Sequence, residues 1–331
     1  MGNTVYGPVP SWRFGRSLGI DPVPPPKRCT FNCIYCQLGP THHPIRNLNL
    51  IQEKLPTVTQ MLSDLDTYLM KIDVESLDVI TFSGSGEPTL NLQLGKMANQ
   101  LRDRFDIPLV LLTNGSLLTN PKVLESVAQV DIVTVKFDAG DEETLQSINR
   151  PLIPFRYKQL MKGIRQLRQQ TQTTIALEVM LLETTSGITN FEGQGKEILQ
   201  KKIKELAPQV DLLQLYTPWR PPGDPSVLSI DLFRLKKFAS ELSEIIGKTK
   251  LWIYGLHDAR GKTTRWKSHH EIHDEIVTML HRRPCRLSDL ALSLDMPISI
   301  ILRHIRLLLE DNKIITRQHI GETYYAVKNK N

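Results

Sequence analysis

Apolar, β-branched runs alternate with amphipathic stretches along most of the 331-residue chain. Short apolar runs separated by helical patterns are typical of βαβ units, in which a parallel sheet is buried on both faces. Six runs predict strands, at residues 17–23, 77–82, 108–113, 131–137, 174–181 and 211–216, and residues 250–255 suggest a seventh. The amphipathic stretches predict helices at residues 58–72, 90–105, 157–170 and 196–206.

The kind and number of these repeats narrow the fold class. Six βα repeats without a glycine-rich dinucleotide loop suit a barrel better than an open sheet. We therefore predict an α/β fold, a partial (β/α)6 TIM-like barrel over residues 1–256. In such barrels the functional groups lie at the carboxyl ends of the strands, and we expect the functional residues there.

The pattern changes after residue 256. The polar residues 257–268 predict a linker, and residues 269–331 predict a small C-terminal domain. Helical patterns in that domain run over residues 271–282, 286–294 and 297–311, and residues 314–316 and 323–327 form a hairpin that turns at Gly321. Three helices followed by a two-stranded wing predict a winged helix-turn-helix domain.

Composition is that of an ordinary globular protein, with 40% hydrophobic and 23% charged residues. No stretch approaches the roughly 20 consecutive apolar residues that span a bilayer. Residues 1–10 lack the basic and apolar regions of a secretory signal. We therefore predict a cytoplasmic protein with no membrane partner. The net charge of +6 and the pI of about 9.0 permit an anionic substrate or a nucleic acid.

Four cysteines in a chain predicted to be cytosolic argue against a disulfide framework. Three of them are clustered in Cys29-Thr-Phe-Asn-Cys33-Ile-Tyr-Cys36, which indicates metal binding or catalysis. Three thiolates are one short of the four that close a structural zinc site or an electron-transfer cluster. A [4Fe–4S] cluster held by three thiolates keeps one iron open for a small chelating molecule. The alternative is a zinc site with His42 or His43 as the fourth ligand.

This motif, with Tyr35 just before the last cysteine, resembles the signature of the radical S-adenosylmethionine (SAM) superfamily. The resemblance implies that Cys29, Cys33 and Cys36 hold a [4Fe–4S] cluster whose open iron binds the methionine end of SAM. It implies reductive cleavage of SAM to a 5′-deoxyadenosyl radical, which abstracts hydrogen from a substrate. The implied electron donor is a protein such as ferredoxin or flavodoxin.

Two further segments resemble the cofactor-binding segments of that superfamily. In Ser83-Gly-Ser-Gly86-Glu87-Pro88, residues Gly86 and Glu87 are similar to a Gly-Gly-Glu-Pro segment that grips the methionine amino group, with Ser85 where the first glycine is usual. Asn114, at the end of the third predicted strand, would line the same pocket. Read without the resemblance, both segments are ordinary turns.

Charged residues in two later strands complete the candidate cofactor site. Asp138 looks like the ribose contact of the family, and Lys136 points to the same face of its strand, so a structural Lys–Asp pair is the alternative. Arg150 is a candidate partner for a carboxylate. Glu178 lies in an apolar strand, so it must face the barrel lumen or be paired, and it is a candidate contact for cofactor or substrate.

Two flanking segments suggest substrate contacts and a branch of the superfamily. Arg13, Arg16 and Arg220 are candidate substrate contacts, with surface ion pairs as the alternative. The two segments, residues 7–19 and 216–222, resemble those of a stand-alone branch of iron–sulfur oxidoreductases related to the wybutosine enzymes. Only Cys285 remains for any second cluster, so the predicted cluster works alone.

Together these features predict a one-cluster radical enzyme that modifies a tRNA or another macromolecule. The predicted winged helix offers a binding surface for RNA, DNA or a peptide. One alternative is a cluster-containing DNA-binding protein that senses redox state or cofactor level. Another is a peptide-modifying radical enzyme that uses the tail to bind a leader peptide.

Overall fold

The computed structural model describes residues 4–45, 47–247, 250–257 and 272–328. A curled sheet of eight strands forms its centre, and the order of strands across the sheet is their order in the chain. The strands are β1 Val5–Ser11, β2 Gly15–Ile20, β3 Val79–Phe82, β4 Leu109–Thr113, β5 Ile132–Lys136, β6 Thr174–Met180, β7 Leu212–Tyr216 and β8 Leu251–Ile253.

Strand direction makes this sheet a partial barrel. β1 is antiparallel to β2, and every later neighbouring pair is parallel. β1 and β8 are the two edges of the sheet, which therefore curls without closing. The predicted partial TIM-like barrel is confirmed.

Within the described residues, six helices of the barrel pack on the sheet through apolar stripes. In the helix at Tyr157–Gln170, for example, Leu160, Ile164 and Leu167 recur at helical spacing and are buried. The six are α1 Val58–Leu69, α2 Leu94–Arg102, α3 Pro121–Val127, α4 Tyr157–Gln170, α5 Gly193–Leu206 and α6 Leu232–Ile246.

Three features of the barrel differ from the sequence-based expectation. β1 was not predicted, because Pro8 and Pro10 break a strand pattern, although proline is tolerated at a sheet edge. The helices α3 and α6 were also not predicted. β2 ends at Ile20 rather than residue 23, because the Asp21 carboxylate accepts a hydrogen bond from the Val23 backbone N–H and turns the chain.

The tail contains its helices and hairpin in the predicted order. They are α7 Ile272–Leu280, α8 Leu287–Leu294, α9 Ile298–Glu310, β9 Ile314–His319 and β10 Glu322–Val327. The winged helix-turn-helix classification and the domain boundaries stay predictions, and the predicted linker lies outside the described residues apart from His257.

The tail is packed directly on the edge of the barrel sheet. Its apolar core includes Tyr6 and Val9 of β1 together with buried side chains of α7, α8 and α9. An exposed edge strand is a site for unwanted pairing, and covering it with helices removes that hazard. Within the described ranges, no helix is long and apolar enough to cross a membrane.

Candidate functional site

The three clustered cysteines lie on the loop that follows β2, at the carboxyl end of the sheet. This loop is fixed to a neighbouring segment by backbone hydrogen bonds, from Asn32 N to the Arg150 carbonyl (3.0 Å) and from Ile34 N to the Ile148 carbonyl (3.0 Å). All three cysteines are unpaired thiols and partly buried.

Each of the three sulfur atoms has a nitrogen donor beside it from another residue. A donor next to sulfur favours the thiolate, which is the form that binds a metal. The donor–sulfur pairs are Lys27 Nζ with Cys36 Sγ at 3.1 Å, Asn114 Nδ2 with Cys29 Sγ at 3.5 Å and Asn149 Nδ2 with Cys33 Sγ at 3.7 Å. Three cysteine sulfurs on one loop, each with a nitrogen donor beside it, fit a cluster that has one iron without a cysteine ligand.

Burial governs the protonation of two of these thiols. It raises the pKa of Cys29 to about 12 and that of Cys33 to about 11. Burial therefore opposes the neighbouring donors at Cys29 and Cys33, and a bound metal would have to displace the thiol protons.

A zinc ion fits the same loop less well. Within the described part of the chain, no group of three or more His, Cys, Asp or Glu side chains converges on a single ion. His42 and His43, the candidate fourth ligands, are exposed. In a cluster each thiolate binds a different iron, so its ligands stand further apart than those around one ion.

The segment after β3 packs directly against the cysteine loop at Gly86. A Cβ atom at Gly86 would lie 1.9 Å from the Arg28 carbonyl oxygen, so only glycine fits there. The next amide, Glu87 N, donates to that same oxygen at 3.1 Å. The two segments that the sequence singled out are thus joined next to Cys29.

The Glu87 carboxylate is buried and hydrogen-bonded to the protein. Oε1 accepts from the Thr89 backbone N–H (3.2 Å), the Thr89 hydroxyl (2.6 Å) and the Thr113 hydroxyl (2.6 Å), and Oε2 accepts from Asn114 N (2.8 Å). Burial raises the pKa of Glu87, against these hydrogen bonds, which act to lower it. Oε2 can accept one more hydrogen bond, which is the bond that the predicted contact with an ammonium group needs.

Asp138, the predicted ribose contact, is completely buried and tied to the cysteine loop. Its Oδ2 accepts from the Tyr35 hydroxyl and from Asn149 Nδ2 (2.9 Å). Its Oδ1 accepts from Met180 N (2.8 Å) and lies 3.0 Å from Lys136 Nζ. A ribose hydroxyl would have to displace one of these partners, so the ribose role stays a prediction.

Lys136 connects three strands of the sheet through its ammonium group. Besides Asp138, it contacts the Tyr216 hydroxyl at 2.8 Å and lies 3.8 Å from Glu178 Oε1. Burial acts to lower the pKa of Lys136, but Asp138, Tyr216 and Glu178 together outweigh it and raise the pKa. The Lys–Asp ion pair, considered from the sequence as a structural alternative, is present.

Glu178 is paired, which is one of the two alternatives that the sequence left open. Arg13 Nη2 lies 2.7 Å from Glu178 Oε1. Burial acts to raise the pKa of Glu178, but the charges of Arg13 and Lys136 outweigh it and lower the pKa. Gln214 is aligned with Glu178 on the next strand, and neither of its buried amide atoms has a hydrogen-bond partner within the described ranges. The sequence analysis did not single out Gln214. Its signal was a polar side chain in the otherwise apolar strand β7.

Comparison with known proteins now decides the family. Residues 23–201 match the Radical SAM superfamily model, which is more than half of the chain. The chain belongs to the radical SAM superfamily. It is therefore a radical SAM enzyme, and the family implies SAM and an iron–sulfur cluster.

Relatives of this radical SAM enzyme span nearly its whole length. It is 28% identical over 323 residues to a UPF0026 protein of Methanocaldococcus jannaschii, covering 97% of this chain and 94% of that protein. It is 29% identical over 321 residues to a UPF0026 protein of Helicobacter pylori (strain J99), covering 96% and 95%. It is also similar to the solved structure of a radical SAM methyltransferase from Sphaerobacter thermophilus, with a TM-score of 0.48, 16% identity, and coverage of 72% of this chain and 64% of that one.

Arg150 and Arg16 lie apart from the buried polar groups of the radical SAM site. The Arg150 side chain is exposed, and its Nε donates to the Ser147 carbonyl at 3.3 Å, so its role at the cofactor stays a prediction. Arg16 forms an ion pair with Asp78 at 3.2 Å, which is the alternative considered from the sequence.

A buried ion pair connects the tail to the radical SAM site. Ser85 donates its backbone N–H (3.0 Å) and its hydroxyl (2.9 Å) to Asp21 Oδ2. Arg282, which follows α7, lies with Nε 3.3 Å from the same oxygen, and both side chains are almost fully buried. Ser85 keeps an ordinary backbone conformation and uses its hydroxyl to hold the loop that carries Glu87.

Proposed function

We propose that Cys29, Cys33 and Cys36 hold one [4Fe–4S] cluster, and that this enzyme cleaves SAM to a 5′-deoxyadenosyl radical that abstracts hydrogen from its substrate. When bound, the cluster supplies the electron for that cleavage. The observation that carries the proposal is the set of three sulfurs, each beside a nitrogen donor, at the carboxyl end of the sheet next to buried Glu87.

The residues of the chain have distinct tasks in this proposal. Glu87 accepts a hydrogen bond from the methionine ammonium group through Oε2, while its other bonds keep the loop in place. Asn114 and Asn149 orient the cluster thiolates through their side-chain amides. Asp138 accepts a hydrogen bond from the Tyr35 hydroxyl, which holds the cysteine loop against the end of β5.

We place the electron donor, a protein such as ferredoxin or flavodoxin, at the cleft beside the cysteine loop. This cleft has a volume of about 700 Å³ and lies between that loop and the tail. Lys27, which contacts Cys36, lines it together with His42 and with Arg317 of the tail. A donor bound there approaches the cysteine loop along a short path.

We also propose that the tail is a winged helix-turn-helix domain that recruits the substrate, with tRNA as the candidate. The order of helices and hairpin supports this, as do Arg303 and Arg306, which are exposed on α9. The relation to the wybutosine branch remains our proposal from the segments around Arg13 and Arg220.

Spectroscopy on the metal-loaded protein tests the cluster and its open iron. After anaerobic reconstitution we expect about four irons per chain. SAM added to the dithionite-reduced protein should change the electron paramagnetic resonance spectrum, because its amino and carboxylate groups bind the open iron. Zinc in place of iron, or a spectrum that SAM leaves unchanged, would contradict the proposal.

A further inference from the structure

A cavity of about 260 Å³ lies between the β1–β2 hairpin, the glycine-containing loop after β3 and the tail. Gly84 and Gly86 line it on one side, so it adjoins the site where SAM is expected. Four arginines also line it, and no carboxylate among the described residues does. The four are Arg13, Arg220, Arg282 and Arg283.

Two of the four arginines already have acidic partners. Arg13 is paired with Glu178 at 2.7 Å, and Arg282 is paired with Asp21 at 3.3 Å. The uncompensated positive charge in the cavity wall therefore belongs to the remaining pair, Arg220 and Arg283.

Three nitrogen donors of that pair have no partner among the described residues. Arg220 Nε, Arg283 Nε and Arg283 Nη2 are buried and have no hydrogen-bond partner in the part of the chain that the structure describes. Trp12 Nε1 in the same wall is also buried and unsatisfied. Arg283 is 9% exposed and Trp12 is 3% exposed. Buried donors are nearly always satisfied in native proteins, so four together point to a ligand.

The local charges support the same reading. Burial lowers the pKa of Arg220 to about 9, and the positive charge of Arg283 acts in the same direction. Asp289, whose charge acts on both arginines, is already bound to Arg286 at 3.0 Å. An anion between Arg220 and Arg283 would relieve this repulsion.

We propose that this cavity binds a phosphate group of the substrate between Arg220 and Arg283, with the Trp12 indole N–H as a further donor. Two guanidinium groups and an indole N–H match the several oxygens of a phosphate, which arginine recognises with paired N–H donors. The inference rests on the proposed function, because the bound group lies beside the SAM site and directs the remainder of the substrate toward the radical. The tail, which supplies Arg283, is thereby part of the substrate site.

Binding of inorganic pyrophosphate to the full cluster-loaded chain tests this proposal. Calorimetry and tryptophan fluorescence should both detect binding to the wild-type protein, because Trp12 lies in the cavity and Trp219 stacks against Arg220 (3.7 Å). Arg283→Gln and Arg220→Gln should each weaken it at least tenfold. Arg104→Gln is the matched control, since Arg104 is an exposed arginine of the barrel outside the cavity, and it should leave the affinity unchanged.

Two competition experiments, in which a second compound displaces pyrophosphate, distinguish the source of the phosphate. Displacement of pyrophosphate by a nucleoside triphosphate would identify a free phosphorylated small molecule. Displacement by bulk tRNA, retained in Arg104→Gln, would identify a phosphodiester of RNA. Absence of pyrophosphate binding to the wild-type protein, or equal affinities of Arg283→Gln and Arg104→Gln with unchanged melting temperatures, would overturn the proposal. The measurement needs neither SAM nor reductant, so its failure is separate from a failure to cleave SAM.

Discussion

Replacing Cys36 with serine should remove most of the bound iron and bring SAM cleavage below detection. Serine keeps the size of the side chain but supplies a hydroxyl, which is a poor ligand for iron, and it deprives Lys27 of its contact with sulfur. Iron content, sulfide content and 5′-deoxyadenosine release after anaerobic reconstitution measure the effect.

Cys285→Ala is the matched control for this prediction. Cys285 is completely buried in the tail and packs in the tail's apolar core. Its removal should leave iron content and SAM cleavage at the wild-type level. Equal iron content in Cys36→Ser and Cys285→Ala would show that the cysteine loop does not hold the metal.

Replacing Arg282 with methionine should lower the free energy of unfolding by about 3–5 kcal/mol, because Asp21 would be left buried without its charged partner. Both side chains of this pair are at most 4% exposed, so solvent screening is small. Urea unfolding measures the change. The variant should also loosen the Ser85 segment, since Asp21 Oδ2 joins Arg282 to Ser85.

Two comparisons make the Arg282 result specific. Arg104→Met removes a surface ion pair with Asp66, whose side chains are 37% and 58% exposed, and should cost less than about 1 kcal/mol. In a double-mutant cycle with Asp21→Asn, the combined loss should be smaller than the sum of the single losses. Additive losses would show that Arg282 and Asp21 do not interact.

Much of the barrel could be predicted from the sequence, because its strands are buried on both faces. The strand at Leu109–Thr113 begins one residue after the predicted bound, and the helix at Tyr157–Gln170 has the predicted bounds. β1 could not be predicted, because Pro8 and Pro10 break its strand pattern and because its burial depends on the tail that packs on Tyr6 and Val9.

The chemistry of the site was predictable where it depends on local spacing. The three cysteines and Glu87 lie in short motifs, and the structure brings them together. Asn149 and Arg283 carry no such motif, because their roles arise from contacts between segments far apart in the chain. The sequence also could not show that the Asp138 carboxylate is fully engaged by protein donors.

Release of 5′-deoxyadenosine tests the central claim most directly. The protein, reconstituted anaerobically with iron and sulfide, is mixed with SAM and dithionite, and the products are separated by chromatography. We predict 5′-deoxyadenosine that requires both the reductant and the bound iron. An iron-loaded protein that releases none would contradict the assignment of this chain as a SAM-cleaving enzyme.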